Sequence, residues 1–212
     1  NTKGINEINL KDIEYANKLG FEIKLLAFSE RHHVDDNDSL ALNIWVAPSL
    51  IPRSHPLASV DGVNNAILIE ADPLGEIMLY GPGAGSGPTA ASIVSDILNL
   101  KARSSKNKPS VDKLLSFDFW RKCHVTSSEL ITKKNYLRII CLDTPGVIGK
   151  IGDIFGENDV SIESIIQLDV REKKAEIVVI THEVTNGNFE NSKDEINELL
   201  EVELIASQLS CI

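Results

Sequence analysis

The sequence predicts an α+β chain, on three observations. Residues 1–100 alternate strand patterns with helical ones, the polar and basic run Arg103–Pro109 interrupts them, and residues 136–212 follow the order strand, helix, strand, strand, helix, strand. With 212 residues and an apolar fraction of 42%, the chain has material for one large domain or two small ones.

The first element is a short amphipathic helix over Leu10–Leu19, with Leu10, Ile13, Ala16 and Leu19 on one face. Asn9 and Asp12 form an approximate capping box, and Gly20 supplies the stop. Phe21–Phe28 and Leu40–Ala47 read as strands joined by the polar turn Arg31–Ser39. His32, His33, Asp35, Asp36 and Asp38 crowd that turn. Neighbouring loop side chains rarely converge on one ion, and these do not match the alternating ligands of an EF-hand, so no metal is expected.

Asn65–Glu70 and Glu76–Tyr80 are further strands around the turn Asp72-Pro-Leu-Gly75. The second leads into Gly81-Pro-Gly-Ala-Gly-Ser-Gly-Pro-Thr-Ala90 and then a helix over Ala90–Leu100, whose face is Ala90, Ile93, Val94, Ile97 and Leu98. Ser86 suits a cap and Pro88 an early helical position. A strand, a glycine loop and a helix in series suit an anionic ligand, because glycines admit close approach and helix-start amides favour negative charge. The loop has no P-loop lysine, and neither Gly81 nor Gly83 begins a G-x-G-x-x-G. A tight turn whose glycines only allow positive φ accounts for the same residues equally well.

Lys101–Asn135 reads as a link. Its Phe117, Phe119 and Trp120 either dock it onto a domain or contribute to a subunit contact. Beyond it, Tyr136–Leu142 is a strand, Asp143-Thr-Pro-Gly146 a turn, and Val147, Ile148, Ile151, Ile154 and Phe155 one helical face. Val160, Ile162, Ile166, Leu168 and Val170 then alternate with Ser161, Glu163, Gln167 and Asp169 as a half-buried strand. Arg171–Lys174 turns it into Ala175–Thr181, Asn191–Leu200 is a second helix offering Ile196, Leu199 and Leu200 to the core, and Val202–Leu209 is the last strand. The order βαββαβ is the split βαβ of a ferredoxin-like fold. One sheet face is then bare of helices and one edge open, so pairing with a second copy is expected.

The turn before the first of these helices carries the clearest chemistry. The amides of Gly146, Val147 and Ile148 open a helix and suit a carboxylate, while Asp143, or Asn158 from a partner domain, suits an ammonium group. Alternatively, or at the same time, Asp143 caps the helix and Pro145 occupies its first turn.

Composition narrows the function classes. Lys plus Arg total 21 against 31 Asp plus Glu, a net charge of −10 that disfavours nucleic acid as a partner. No apolar run approaches the roughly 20 residues of a membrane span, and Asn1-Thr-Lys-Gly-Ile is no signal segment. Cys123, Cys141 and Cys211 show no paired spacing, so they are expected to be reduced, in a cytoplasmic protein. The first residue is not Met and the chain opens almost directly on a capped helix, so a missing upstream segment is expected.

Two resemblances add to this reading. The segments Asp12-Ile-Glu-Tyr-Ala16, Gly20–Ala27, Pro48–Pro52, His55–Ala58, Gly62–Ala66, Tyr80-Gly-Pro-Gly-Ala-Gly85 and Pro88–Ala91 resemble, in order and spacing, the catalytic domain of homoserine dehydrogenase. Leu142-Asp-Thr-Pro-Gly-Val-Ile148 and Val160–Ile165 resemble the ACT domain, an amino-acid-binding module; Asp159 stands where that family usually has glycine.

The resemblance implies a mixed-sheet substrate and dimerisation domain over residues 1–101, a linker over 102–135 and an ACT regulatory domain over 136–212. It implies reduction of L-aspartate 4-semialdehyde to L-homoserine with NADP or NAD, in threonine, methionine and isoleucine biosynthesis. It places Gly83, Ala84 and Gly85 against the cofactor and makes L-threonine the effector of an at least dimeric protein. The Rossmann domain and catalytic residues of the family lie upstream of Asn1, so this chain alone is expected to be inactive and to bind no cofactor. The rival expectation is a non-catalytic amino-acid-binding or dimerisation module.

Overall fold

The computed structural model describes residues 4–5, 8–33, 40–104, 123–171 and 173–212. The turn residues 34–39 and the aromatic cluster Phe117, Phe119 and Trp120 lie outside that set. Two units divide the chain: Asn1–Arg53 with Cys123–Ile212, and Ser54–Lys122.

In the first unit, α1 (Leu10–Lys18) precedes β1 (Phe21–His33) and β2 (Leu40–Pro52). After the second unit come β5 (His124–Val125), β6 (Thr132–Leu142), α3 (Val147–Glu157), β7 (Ile162–Arg171), β8 (Lys174–Thr181), β9 (Val184–Thr185), α4 (Asn186–Asn197) and β10 (Val202–Cys211). The strands form one sheet in the order β1-β2-β10-β6-β8-β7, with β5 on β2 and β9 on β6. Its β10-β6-β8-β7 part is the predicted βαββαβ unit. The β1–β2 hairpin extends that sheet through a short parallel pairing of Ser49 with Ser210 and Leu50 with Cys211.

Strand alternation gives the sheet two faces. On one, Leu137, Ile139 and Cys141 of β6 and Ala175, Ile177 and Val179 of β8 pack in a core with Ile151 and Phe155 of α3 and Phe189 and Ile196 of α4. On the other, Tyr136, Val178, Ile180 and Leu209 pack with Tyr15 and Ala16 of α1. The face expected to be bare is thus partly covered by a helix of the same chain, and β2 pairs with the last two residues of the β10 edge.

Several elements differ from their predicted form. The box at Asn9 and Asp12 closes as expected, but α1 is rotated: Leu10 is 70% and Ile13 44% exposed, while Asp12, Tyr15 and Ala16 are buried. β1 runs on to His33 instead of ending at Phe28, and β6 starts at Thr132 instead of Tyr136. α4 starts five residues early because Thr185 caps it, its side chain accepting from the Asn188 amide; it ends at Asn197, which leaves Leu200 97% exposed. In β7 an irregularity between Ile162 and Ser164 inserts a residue against β8, so Ile165 rather than Ile166 packs against the core. Asp159 adopts φ 56, the left-handed turn that Asp tolerates where the ACT pattern has glycine.

In the second unit, β3 (Asn64–Ala71) and β4 (Gly75–Pro82) pair antiparallel in full register, and α2 runs over Ser86–Ser104. Ser86 is the first helical residue rather than the cap, because the Gly85 carbonyl accepts from the Thr89 amide at 3.1 Å. Pro88 falls in the first turn as predicted. No described helix is long and apolar enough to cross a membrane.

Candidate functional site

The turn from β6 into α3 forms an open cleft of about 410 Å³, within the range of small-molecule sites. Asp143, Gly146, Val147 and Ile148 line it together, with Cys141, Ala175 and Ile177 on the sheet side. Asp143 is its one charged lining residue among those described. The helix starts there because Gly146, at φ 92, takes a left-handed conformation that L side chains rarely adopt. Asp143 does not cap it: α3 has no side-chain cap, and the Asp143 carboxylate instead accepts from Gln167 Nε2 at 3.3 Å.

An α-helix cannot satisfy its first amides internally. The Val147 amide makes a long 3.5 Å bond back to the Thr144 carbonyl. Ile148 and Gly149 belong to the same unsatisfied first turn, and both line the cleft. One end therefore offers a carboxylate and the other the positive end of a helix, with apolar walls between. The floor is inert, because burial, and secondarily the Asp143 charge, push the Cys141 thiol up and keep it protonated.

Asn158 stands apart as the C-cap of α3, its side-chain amide donating to the Ile154 carbonyl at 3.0 Å and to Glu195 at 3.2 Å. Gln167 is the residue the sequence pattern missed. Strict alternation set it opposite Ile166 and Leu168 on the solvent side; the inserted residue in β7 shifts the phase and puts it on the cleft.

In the second unit the glycine turn is exposed. Gly85, at φ 124, is required by the turn itself, whereas a Cβ on Gly83 would meet the Asn65 side chain, which would have to swing away. The turn runs straight into α2, whose first amides, as in any α-helix, have no partner within the helix. Among the described residues no cluster of three His, Cys, Asp or Glu is placed to hold a metal.

Comparison with known proteins divides the chain in sequence order, so that the first match runs across both structural units. Residues 1–98 match the homoserine dehydrogenase family model and residues 135–201 the ACT domain model. A homoserine dehydrogenase of Synechocystis sp. is 44% identical over 97% of this chain and 47% of its own length, and that of Bacillus subtilis is 33% identical over 97% and 46%. The crystal structure of a homoserine dehydrogenase from Thiobacillus denitrificans aligns with a TM-score of 0.84 at 28% identity, over 99% of this chain and 47% of that one. The chain spans about half the length of the curated relatives it matches. By both family matches, and by relatives that align along nearly its whole length, the chain carries a homoserine dehydrogenase family domain followed by an ACT domain.

Proposed function

We propose that the cleft at the start of α3 binds a free α-amino acid, L-threonine, as a feedback signal for a homoserine dehydrogenase. The enzyme would reduce L-aspartate 4-semialdehyde to L-homoserine with NADP or NAD in the cytoplasm. The observation that carries the reading is the polarity of the cleft. Asp143 at one end suits an ammonium group, the Ile148 and Gly149 amides at the other suit a carboxylate, and Val147 and Ile177 suit a short side chain. The exposed turn at Gly83, Ala84 and Gly85 is the assigned cofactor contact, supplied to a nucleotide-binding part outside these residues. Residues 1–101 then act as the catalytic and dimerisation part, and 136–212 as the regulatory part. Feedback follows only if the effector binds the less active arrangement more tightly, since equal affinity for both shifts nothing.

The sheet supports a dimer. Its outer strands, β1 and β7, each present an edge that a second copy can extend. Asn158, outside the cleft of its own domain, is then available to complete a partner's site.

Isothermal titration of the chain with L-threonine, and with isoleucine, methionine and lysine as controls, tests the reading. Saturable heat with threonine is expected. Asp143→Ala should weaken it roughly tenfold or more, the worth of a hydrogen bond to a charged group. Heat unchanged by Asp143→Ala would remove this cleft as the site.

A further inference from the structure

The three residues Ala175, Glu176 and Ile177 of β8 look both ways. Ala175 and Ile177 line the effector cleft. Glu176, between them, points to the opposite face as strand alternation requires, and there it meets α1. Its Oε2 accepts from Tyr15 Oη at 2.8 Å, and its Oε1 accepts from Lys11 Nζ. Arg138 of β6, set diagonally across from it, reaches Glu176 Oε2 at 3.4 Å and donates through Nε to Asp12 Oδ1 at 2.7 Å. The other oxygen of Asp12 closes the capping box by accepting from the Asn9 amide at 3.0 Å. Arg138 and Asp12 are 2% and 0% exposed.

The far end of α1 is tied as well. Asn17 Oδ1 accepts from Arg53 Nη2 at 2.5 Å, and the Arg53 amide donates to the Gly20 carbonyl at 3.0 Å. Arg53 is the last residue of the first unit before the chain leaves for the glycine turn. Helix α1 is therefore gripped at its start by the back of the effector cleft and at its end by the point where the chain departs.

We propose that Glu176 and Arg138 are positioning residues that couple occupancy of the cleft to the placement of α1. The proposal rests on the effector reading above. A ligand held between Asp143 and the α3 amides presses on Ala175 and Ile177; because β8 is a stiff strand, Glu176 moves with them. Its hydrogen bond from Tyr15 is buried and directional, and the half-exposed Lys11 adds a charge-assisted one, so α1 follows rather than slips. A purely apolar contact would tolerate a small sliding at little cost. Charge-assisted bonds to a fork and a carboxylate do not.

The test is amide hydrogen exchange of residues 10–19, with and without saturating L-threonine, in the chain and in a Lys11→Met/Tyr15→Phe double variant. That variant removes both bonds from α1 to Glu176 and keeps the Arg138–Asp12 pair and every residue of the cleft. Threonine should change exchange in 10–19 in the parent, and the change should fall about fivefold or more in the variant, the lower range of ordinary coupling. Threonine should still give saturable heat with both proteins. If the double variant loosens α1 altogether, Tyr15→Phe alone keeps the ring in the core, and a smaller reduction is expected there.

An equal response in parent and variants overturns the coupling. So does binding to the parent with no response in 10–19. An absence of heat with threonine and with all control amino acids overturns the effector reading, and the coupling with it.

Discussion

Replacing Arg138 with methionine isolates what the buried cluster does for folding. The guanidinium is 2% exposed and its two carboxylate partners are Asp12, at 0%, and Glu176, at 10%. Burial works against its charge, but the hydrogen bond and charge of Asp12, with Tyr136 and Glu176, more than offset it and hold the pKa above the ordinary value. Methionine fills the volume of the stem and leaves two carboxylates facing each other without their shared cation. Removing one partner of a buried pair costs about 3–5 kcal/mol, and Lys11, still bonded to Glu176, keeps the loss toward the lower end. The penalty should shrink as pH falls, because a stranded carboxyl can take up a proton instead of remaining charged. Urea unfolding of parent and variant at pH 7 and at pH 5, followed by Trp45 fluorescence from the first unit, measures both quantities. A loss at pH 7 below about 1 kcal/mol, the worth of an exposed pair, would mean that the cluster is hydrated and that the reasoning fails.

Three further outcomes are expected. Burial works to raise the Glu176 pKa, but the hydrogen bonds from Lys11 and Tyr15 and the charges of Lys11 and Arg138 outweigh it, and the net shift is downward. A group lowered on folding stabilises the fold above its ordinary value and loses that contribution as pH drops through the lowered one. Stability should therefore fall from about pH 4.5 downward, and Glu176→Gln should make that limb shallower; identical acid limbs would contradict the assignment. Of the three cysteines, exposed Cys123 should react with a thiol reagent, while Cys141 and Cys211 react only on unfolding, since burial pushes the Cys211 thiol up to about 12 and also raises Cys141. More than one fast thiol in the native chain would refute this. In an enzyme with its nucleotide-binding part, Ala84→Leu should raise the cofactor KM several-fold without changing the turn, whereas Gly85→Val also strains a φ of 124; an unchanged KM in Ala84→Leu would remove the loop from the cofactor site.

The parts of this fold that were legible in the sequence are those governed by neighbours along the chain. The capping box at Asn9 and Asp12, the hairpin of β3 and β4, the helix face Val147, Ile151 and Phe155, and the left-handed Asp159 all depend on residues within a turn or two. The βαββαβ order followed from the same local periods. The start of the cleft was legible for that reason too: Asp143, Gly146, Val147 and Ile148 are consecutive enough to be read as one turn. Gln167 was not, because it reaches the cleft only through an inserted residue in β7, and alternation carries no mark of an insertion when isoleucines flank both phases, as Ile162, Ile165 and Ile166 do.

The rotation of α1 has the same origin and says more about the site. Leu10 and Ile13 make the better apolar stripe, yet the buried face carries Asp12, because Arg138, 126 residues further on, supplies its counter-charge. A periodicity rule places an acid in water unless its partner is known, and that partner lies in the ACT half. Burying an ion pair is weak evidence for stability, since an apolar replacement of the whole cluster is often no worse. What an apolar cluster would lack is direction: Asp12 fixes where α1 begins and Glu176 fixes where it lies on β8, so one helix face and one strand can fit in a single way. The feature hardest to read from local sequence is therefore the one that ties residues of the dehydrogenase match to residues of the ACT match.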